Sequence, residues 1–208
     1  MTDLHPLVVA ERRTLADALE TLTPEQWATP SLCTGWSARD VVAHLVWPAE
    51  HNAFDVFRNF VKSRFDLDRF TTMTAQADTR AGAELVGVLR ATAGHRWTPP
   101  GFSFEAPLTD AVTHGRDICR PLGIHVPLAS DHARAVLDFV TSRKATRGFV
   151  RKGRLDGLGF TATDLDWSAG RGEPVAGAAD DLILAMLGRA VALDALSGTG
   201  VAILRSRI

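Results

Sequence analysis

The chain has 208 residues, 46% of them hydrophobic and 23% charged, the composition of an ordinary globular protein able to bury a core in one large domain or two small ones. Lysine and arginine number 23 against 24 acidic residues, a net charge of −1, so no global field recruits nucleic acid or an anionic membrane. The longest apolar run, at 182–187, falls far short of the roughly 20 residues of a membrane span, no basic-then-apolar leader opens the chain, and Cys33 and Cys119 form no CxxC pair. A reducing, cytoplasmic setting is expected, with each cysteine a small buried apolar group.

Leu4, Leu7, Val8, Leu15, Ala18, Leu19 and Leu22 recur at helical spacing and predict a first helix, capped by Thr2 or Asp3 and ending before Thr23-Pro24. After a broken stretch that ends at Gly35, Ser37 and Asp40 have the spacing of a capping box: the hydroxyl can take the Asp40 N–H, while Asp40 places negative charge at the positive end of the helix. That start sets the direction of His44, and Val41, Val42, Leu45 and Val46 form the apolar side. Pro48 lacks the N–H that would bond the His44 carbonyl. It predicts a kink, after which the helix resumes through Phe54, Phe57, Phe60 and Val61 to about 65. A third helix is expected over 81–93, stopped by Gly94, a fourth over 106–122, and another over 131–146.

Beyond Gly148, closely spaced glycines separate short apolar runs at 158–161 and 165–168 that read as strands. Asp180 or Asp181 then caps a helix, and 201–204 reads as a closing strand. The expectation is an α+β protein of two domains, a helical one over 1–146 and a small α+β one over 147–208.

Asp110 and His114, four residues apart, are neighbours about 5–6 Å apart on one helix surface, a spacing that lets a carboxylate and an imidazole grip one ion. His44 on another helix can supply a third ligand. Two nitrogens and one oxygen with an open fourth position form a catalytic zinc pattern, and nickel and iron share these ligand tastes. The same residues also read as a solvated face, since Asp110, His114 and Asp117 lie opposite the apolar stripe of their helix. His51 follows His44 by two turns. Trp36, Trp47 and Trp97 read either as pocket lining or as core. The basic cluster Arg143, Lys144, Arg147, Arg151, Lys152 and Arg154 has no interleaved aromatic platform and reads as a solvated helix end and linker.

Three segments carry a resemblance: Leu32-Cys33-Thr34-Gly35-Trp36-Ser37-Ala38-Arg39-Asp40-Val41-Val42-Ala43-His44-Leu45, then Asp110-Ala111-Val112-Thr113-His114-Gly115-Arg116-Asp117-Ile118, and Leu187-Gly188-Arg189 followed by Leu196-Ser197-Gly198. In them the chain resembles the mycothiol-dependent maleylpyruvate isomerase family, a branch of the DinB-like metal-binding four-helix bundles. The resemblance implies that 1–146 is a DinB-like four-helix bundle and that His44, Asp110 and His114 hold a zinc ion. It also implies that Arg189, from the C-terminal domain, serves near the active site. Mycothiol or another low-molecular-weight thiol is the implied cofactor and a small-molecule electrophile the implied partner, with no nucleic acid and no membrane. Asp110 stands where the family usually has Glu, so its shorter side chain must bring the helix nearer or bind through a longer or water-filled link. The implied activity is that of an isomerase or S-transferase. The alternative is a non-catalytic DinB-like module that binds a metal or small molecule.

Overall fold

Helix α1 (His5–Leu19) buries Val8, Leu15 and Leu19 of the expected stripe, together with Ala16, while Ala18 is only half-buried. The structure is a computed structural model and describes residues 3–208, so the Thr2 cap lies outside the described residues; Asp3 Oδ1 accepts the His5 N–H at 3.0 Å. A single turn, α2 (Pro24–Trp27), leads through the loop to α3 (Ala38–Glu50), where the capping box is complete. The Ser37 hydroxyl accepts the Asp40 N–H at 3.3 Å, and the Asp40 carboxylate accepts the Ser37 N–H at 3.0 Å.

The region after Pro48 differs from the expected kinked helix. Helix α3 runs only two residues past the proline, His51 is extended (φ −121°, ψ 141°), and a separate helix α4 (Ala53–Lys62) starts. The reason is local: the proline has removed one hydrogen bond of the last turn, and Asn52 Oδ1 offers a new start by accepting the N–H groups of Phe54 and Asp55. A further helix, α5 (Leu67–Ala77), has no counterpart in the sequence reading. Arg64 and Phe65 both take positive φ, near 60°, and turn the chain, and Asp66 caps α5 through the Arg69 N–H. Thr71, Thr72 and Thr74 hide its apolar period.

Helices α6 (Gly82–Ala91) and α7 (Glu105–Cys119) complete the bundle. Helix α1 packs on α6 and α7, α3 packs on the same two, and α5 lies against α3. The core between them is built from Leu15, Leu19, Val41, Val42, Val46, Leu85, Leu89 and Ile118, all essentially inaccessible to solvent.

The chain divides into two units between Val126 and Pro127. Composition places the change at 146, where the glycine-rich strands begin. Helix α8 (Ser130–Val140) precedes that point yet packs on α9 (Ala179–Met186) of the second unit, because a helix joins whichever core its apolar face meets. The sheet of this unit has the order β2-β1-β3, with β1 (Leu158–Ala162) antiparallel to β2 (Ser168–Gly170) and parallel to β3 (Glu173–Gly177). Phe160 and Val175 are opposite each other and buried. The expected strand at 201–204 is instead a helix, α10 (Gly200–Arg205), which packs on β1 and β3. A four-residue apolar run fits either period, and here Gly200 and Leu204, four apart, form the buried face. The architecture is therefore a helical N-terminal bundle followed by a small α+β unit. Among the described residues no helix is long and apolar enough to cross a membrane.

Candidate metal centre

The complete capping box fixes the first turn of α3 and places His44 on its second turn, while α7 carries Asp110 and His114 one turn apart. Ligand atoms of His44, Asp110 and His114 all lie within 4.8 Å of one another. The two imidazoles meet edge to face, with centroids 5.1 Å apart and planes at 81°. Trp36, only 9% exposed, lies 5.3 Å from the His44 ring and stacks on His114 at 6.3 Å. Its indole N–H donates to Thr72 Oγ1 at 3.1 Å, which pins the ring over both histidines.

Behind His114 stands a second group. His114 Nδ1 is 2.9 Å from Asp117 Oδ2, and the Cys33 thiol donates to the same oxygen at 3.0 Å, with its sulfur 3.6 Å from Nδ1. The Leu32 N–H donates to the Asp117 carbonyl at 3.0 Å and ties the loop to α7. Asp117 is fully buried, and a carboxylate there holds the proton on Nδ1, which leaves Nε2 as the ligand atom on the side of His44 and Asp110. Asp117 and His114, with 0% and 13% of their side chains exposed, are therefore no solvated face.

Burial, and secondarily the charge of His114, pushes the pKa of His44 down to about 3, so its imidazole is neutral with a lone pair to give. Burial also works to lower His114, but the hydrogen bonds to Asp117 and Cys33, together with the charge of Asp117, outweigh it and raise the pKa to about 10. The protonated form of His114 is thereby favoured, and a metal ion held at this site would need its Nε2 without a proton. Arg12 of α1 faces Asp110. Burial lowers its pKa against the opposing pull of that carboxylate, and its Nε has no hydrogen-bond partner among the described residues. Next to it, Glu11 and Arg116 form a buried ion pair at 2.7 Å that fastens α1 to α7. The donor set is one neutral imidazole, one imidazole held by a carboxylate, and one carboxylate oxygen, which fits a divalent ion such as zinc.

Arg189 lies in the C-terminal unit, where it precedes a 3-10 turn (Ala190–Ala195) and donates from its guanidinium to the Leu187 carbonyl at 2.9 Å. His51 stacks on Trp47, with centroids 4.2 Å apart and planes at 10°, and its Nδ1 donates to the Trp47 carbonyl at 2.8 Å. Sequence reasoning missed the pairing of Cys33 with Asp117. The His114–Asp117 spacing of three residues was the one signal available, and nothing local marks Cys33, whose partner is 84 positions away.

No curated protein sequence matches the chain significantly. Residues 8–98 match the family model described as the mycothiol maleylpyruvate isomerase N-terminal domain, a stretch that includes the capping box and His44. Two solved structures are similar in fold, a mycothiol-dependent maleylpyruvate isomerase and a histidine-to-alanine mutant of that enzyme. Each aligns over 96% of this chain and 96% of its own, at 16% identity and with TM-scores of 0.51 and 0.50. Residues 8–98 are thus similar to the mycothiol maleylpyruvate isomerase N-terminal domain family, and nearly the whole chain shares the fold of the solved isomerase.

Proposed function

We propose that this chain is a metal- and thiol-dependent isomerase or S-transferase, in which mycothiol or another low-molecular-weight thiol adds to an electrophilic small molecule such as a maleylpyruvate-like compound. The observation that carries this reading is the convergence of His44, Asp110 and His114 from two helices, with His114 oriented by the buried Asp117. The match of residues 8–98 and the shared fold support it. A divalent ion held by these three residues, zinc foremost, with nickel or iron suited to the same donors, would supply a place where a thiol exists as thiolate at neutral pH.

The protein's own residues have distinct tasks in this scheme. Asp117 keeps a proton on Nδ1 of His114, so that Nε2 faces the other two ligands. Trp36 covers both imidazoles and excludes water from one side of the site, which strengthens every charge interaction there. Arg189, assigned from the Leu187-Gly188-Arg189 resemblance, opposes the enolate or carboxylate charge that develops when the thiol adds to an activated double bond. In an isomerase the adduct rotates and eliminates the thiol to give the trans compound; in an S-transferase the new C–S bond remains.

One observation favours a second reading, a non-catalytic binding module: Arg12 faces Asp110 and competes for its charge. Two measurements separate the readings. The first is the metal content of protein purified without added metal, for the parent, His44→Ala and His114→Ala. The second is an assay offering mycothiol, other cellular thiols and a panel of electrophiles with and without metal. Equal metal occupancy in the variants overturns the site, and thiol reactivity that ignores metal overturns the enzyme reading.

A further inference from the structure

The helical unit contains a cavity of about 280 Å³ among α3, α4 and α5, lined by Trp47, His51, Asn59, Lys62, Met73 and Thr74. Its size suits a small organic molecule, near the lower bound of ordinary ligand pockets. One wall is flat and aromatic, the stacked pair of Trp47 and His51. Met73 adds a polarisable apolar surface.

The charge of the lining is one-sided. No carboxylate lines the cavity, and Lys62 is its one cation, engaged in no ion pair or hydrogen bond among the described residues. Several other cations of the unit are paired: Arg80 with Glu50 and Asp78, Arg90 with Asp17 and Glu20, Arg58 with Asp55. Trp47 is only 8% exposed, and its indole N–H, which makes no hydrogen bond among the described residues, is not one of the buried unpartnered polar atoms, so it is open to a ligand. Trp36 and Trp167, equally buried, donate theirs to Thr72 and Asp138. The Asn59 Nδ2 and His51 Nδ1 protons already go to the carbonyls of Asp55 and Trp47, so both side chains are held in place before any ligand arrives.

From this geometry we propose that the cavity binds the carboxylate of a small planar organic acid, with Lys62 and the Trp47 indole N–H as donors and the Trp47–His51 stack against the flat body of the ligand. A charge-assisted contact to an ammonium, inside a pocket that carries no competing anion, selects an acid over its neutral amide. His51 follows His44 by seven residues, just past the C-terminal end of α3, about 10 Å along the helix direction. An acid seated here lies next to the histidine cluster without occupying it, so binding does not require metal or thiol.

The test uses the full chain stripped of metal by a chelator and titrates it with maleate, fumarate, benzoate and maleamide, followed by tryptophan fluorescence and calorimetry. At least one acid is expected to bind saturably and quench fluorescence, with maleamide at least 10-fold weaker. Lys62→Met should weaken the acid at least 10-fold, Lys62→Arg should restore most of it, and Arg58→Met, on the same helix, should leave it unchanged. Trp47→Phe should remove most of the quench while circular dichroism shows the fold retained. Absence of acid binding, equal affinity in Lys62→Met, or equal affinity for maleamide overturns the proposal. Because no metal or thiol is present, these outcomes are independent of the metal-centre reading.

Discussion

At the scale of single residues, the two histidines respond oppositely to their surroundings, and the consequence is measurable. His44 has its pKa depressed to about 3 and His114 has its raised to about 10, from a common starting value of 6.5. Between pH 3 and 6.5 the unfolded chain takes up a proton at His44 that the folded chain refuses, so stability rises with pH. Between pH 6.5 and 10 the folded chain keeps a proton on His114 that the unfolded chain releases, so stability falls. Metal-free protein should therefore show its highest melting temperature near pH 6.5, and His114→Gln should flatten the alkaline limb; an alkaline limb that persists in the variant contradicts the assignment. Asp117 acts through His114. Asp117→Asn should weaken metal binding about 10–100-fold, the range found for carboxylates that orient a ligating histidine, as read by competition with a chromogenic chelator. Unchanged affinity would show that Asp117 does not position the ring.

At the scale of elements, α3 shows how local chemistry prepares a site. Its capping box and apolar stripe are written in adjacent residues, and the helix starts where Ser37 and Asp40 require. Its end is likewise local, set by Pro48 and the new cap at Asn52. The start of α6 is different, because Gly82 packs under the ring of Trp27, and a Cβ built there would lie 2.1 Å from the indole. Gly82→Ala should accordingly destabilise the bundle by about 1–3 kcal/mol despite the better helix propensity of alanine. Urea denaturation checks it, and a neutral result would mean that Trp27 is free to move aside. No period or propensity in the sequence predicts this contact, and the same holds for α10, whose short apolar run fits a strand until the sheet it packs on is known.

At the scale of the whole molecule, the proposed metal centre would link metal uptake to folding. A divalent ion that binds the folded chain alone should stabilise it by about 2.7 kcal/mol at 100 times its dissociation constant. Zinc should raise the melting temperature of the parent chain but not of His44→Ala or His114→Ala. Arg189 lies in the other unit and belongs to no ligand set, so Arg189→Met should retain the zinc-dependent shift while thiol-dependent turnover falls at least 10-fold. Loss of the shift in that variant would contradict the division of tasks between the two units.

What the sequence determined by itself is whatever depends on residues within a turn or two of one another. The helical stripes of α1, α3, α6 and α7, the cap that aims His44, and the Asp110/His114 spacing are all of this kind. The tertiary structure alone decided which helix faces meet. Packing α3 against α7 brings His44 to Asp110 and His114, and Leu32, bonded to the Asp117 carbonyl, carries the Cys33 thiol to Asp117. Packing α1 against α7 places Arg12 opposite Asp110, and within the second unit α8 packs onto α9 ahead of the compositional boundary. The physical reason is that helix caps and amphipathic periods are short-range and repeat in the chain, whereas the pairing of buried polar groups depends on contacts between residues far apart in sequence, which no local pattern records.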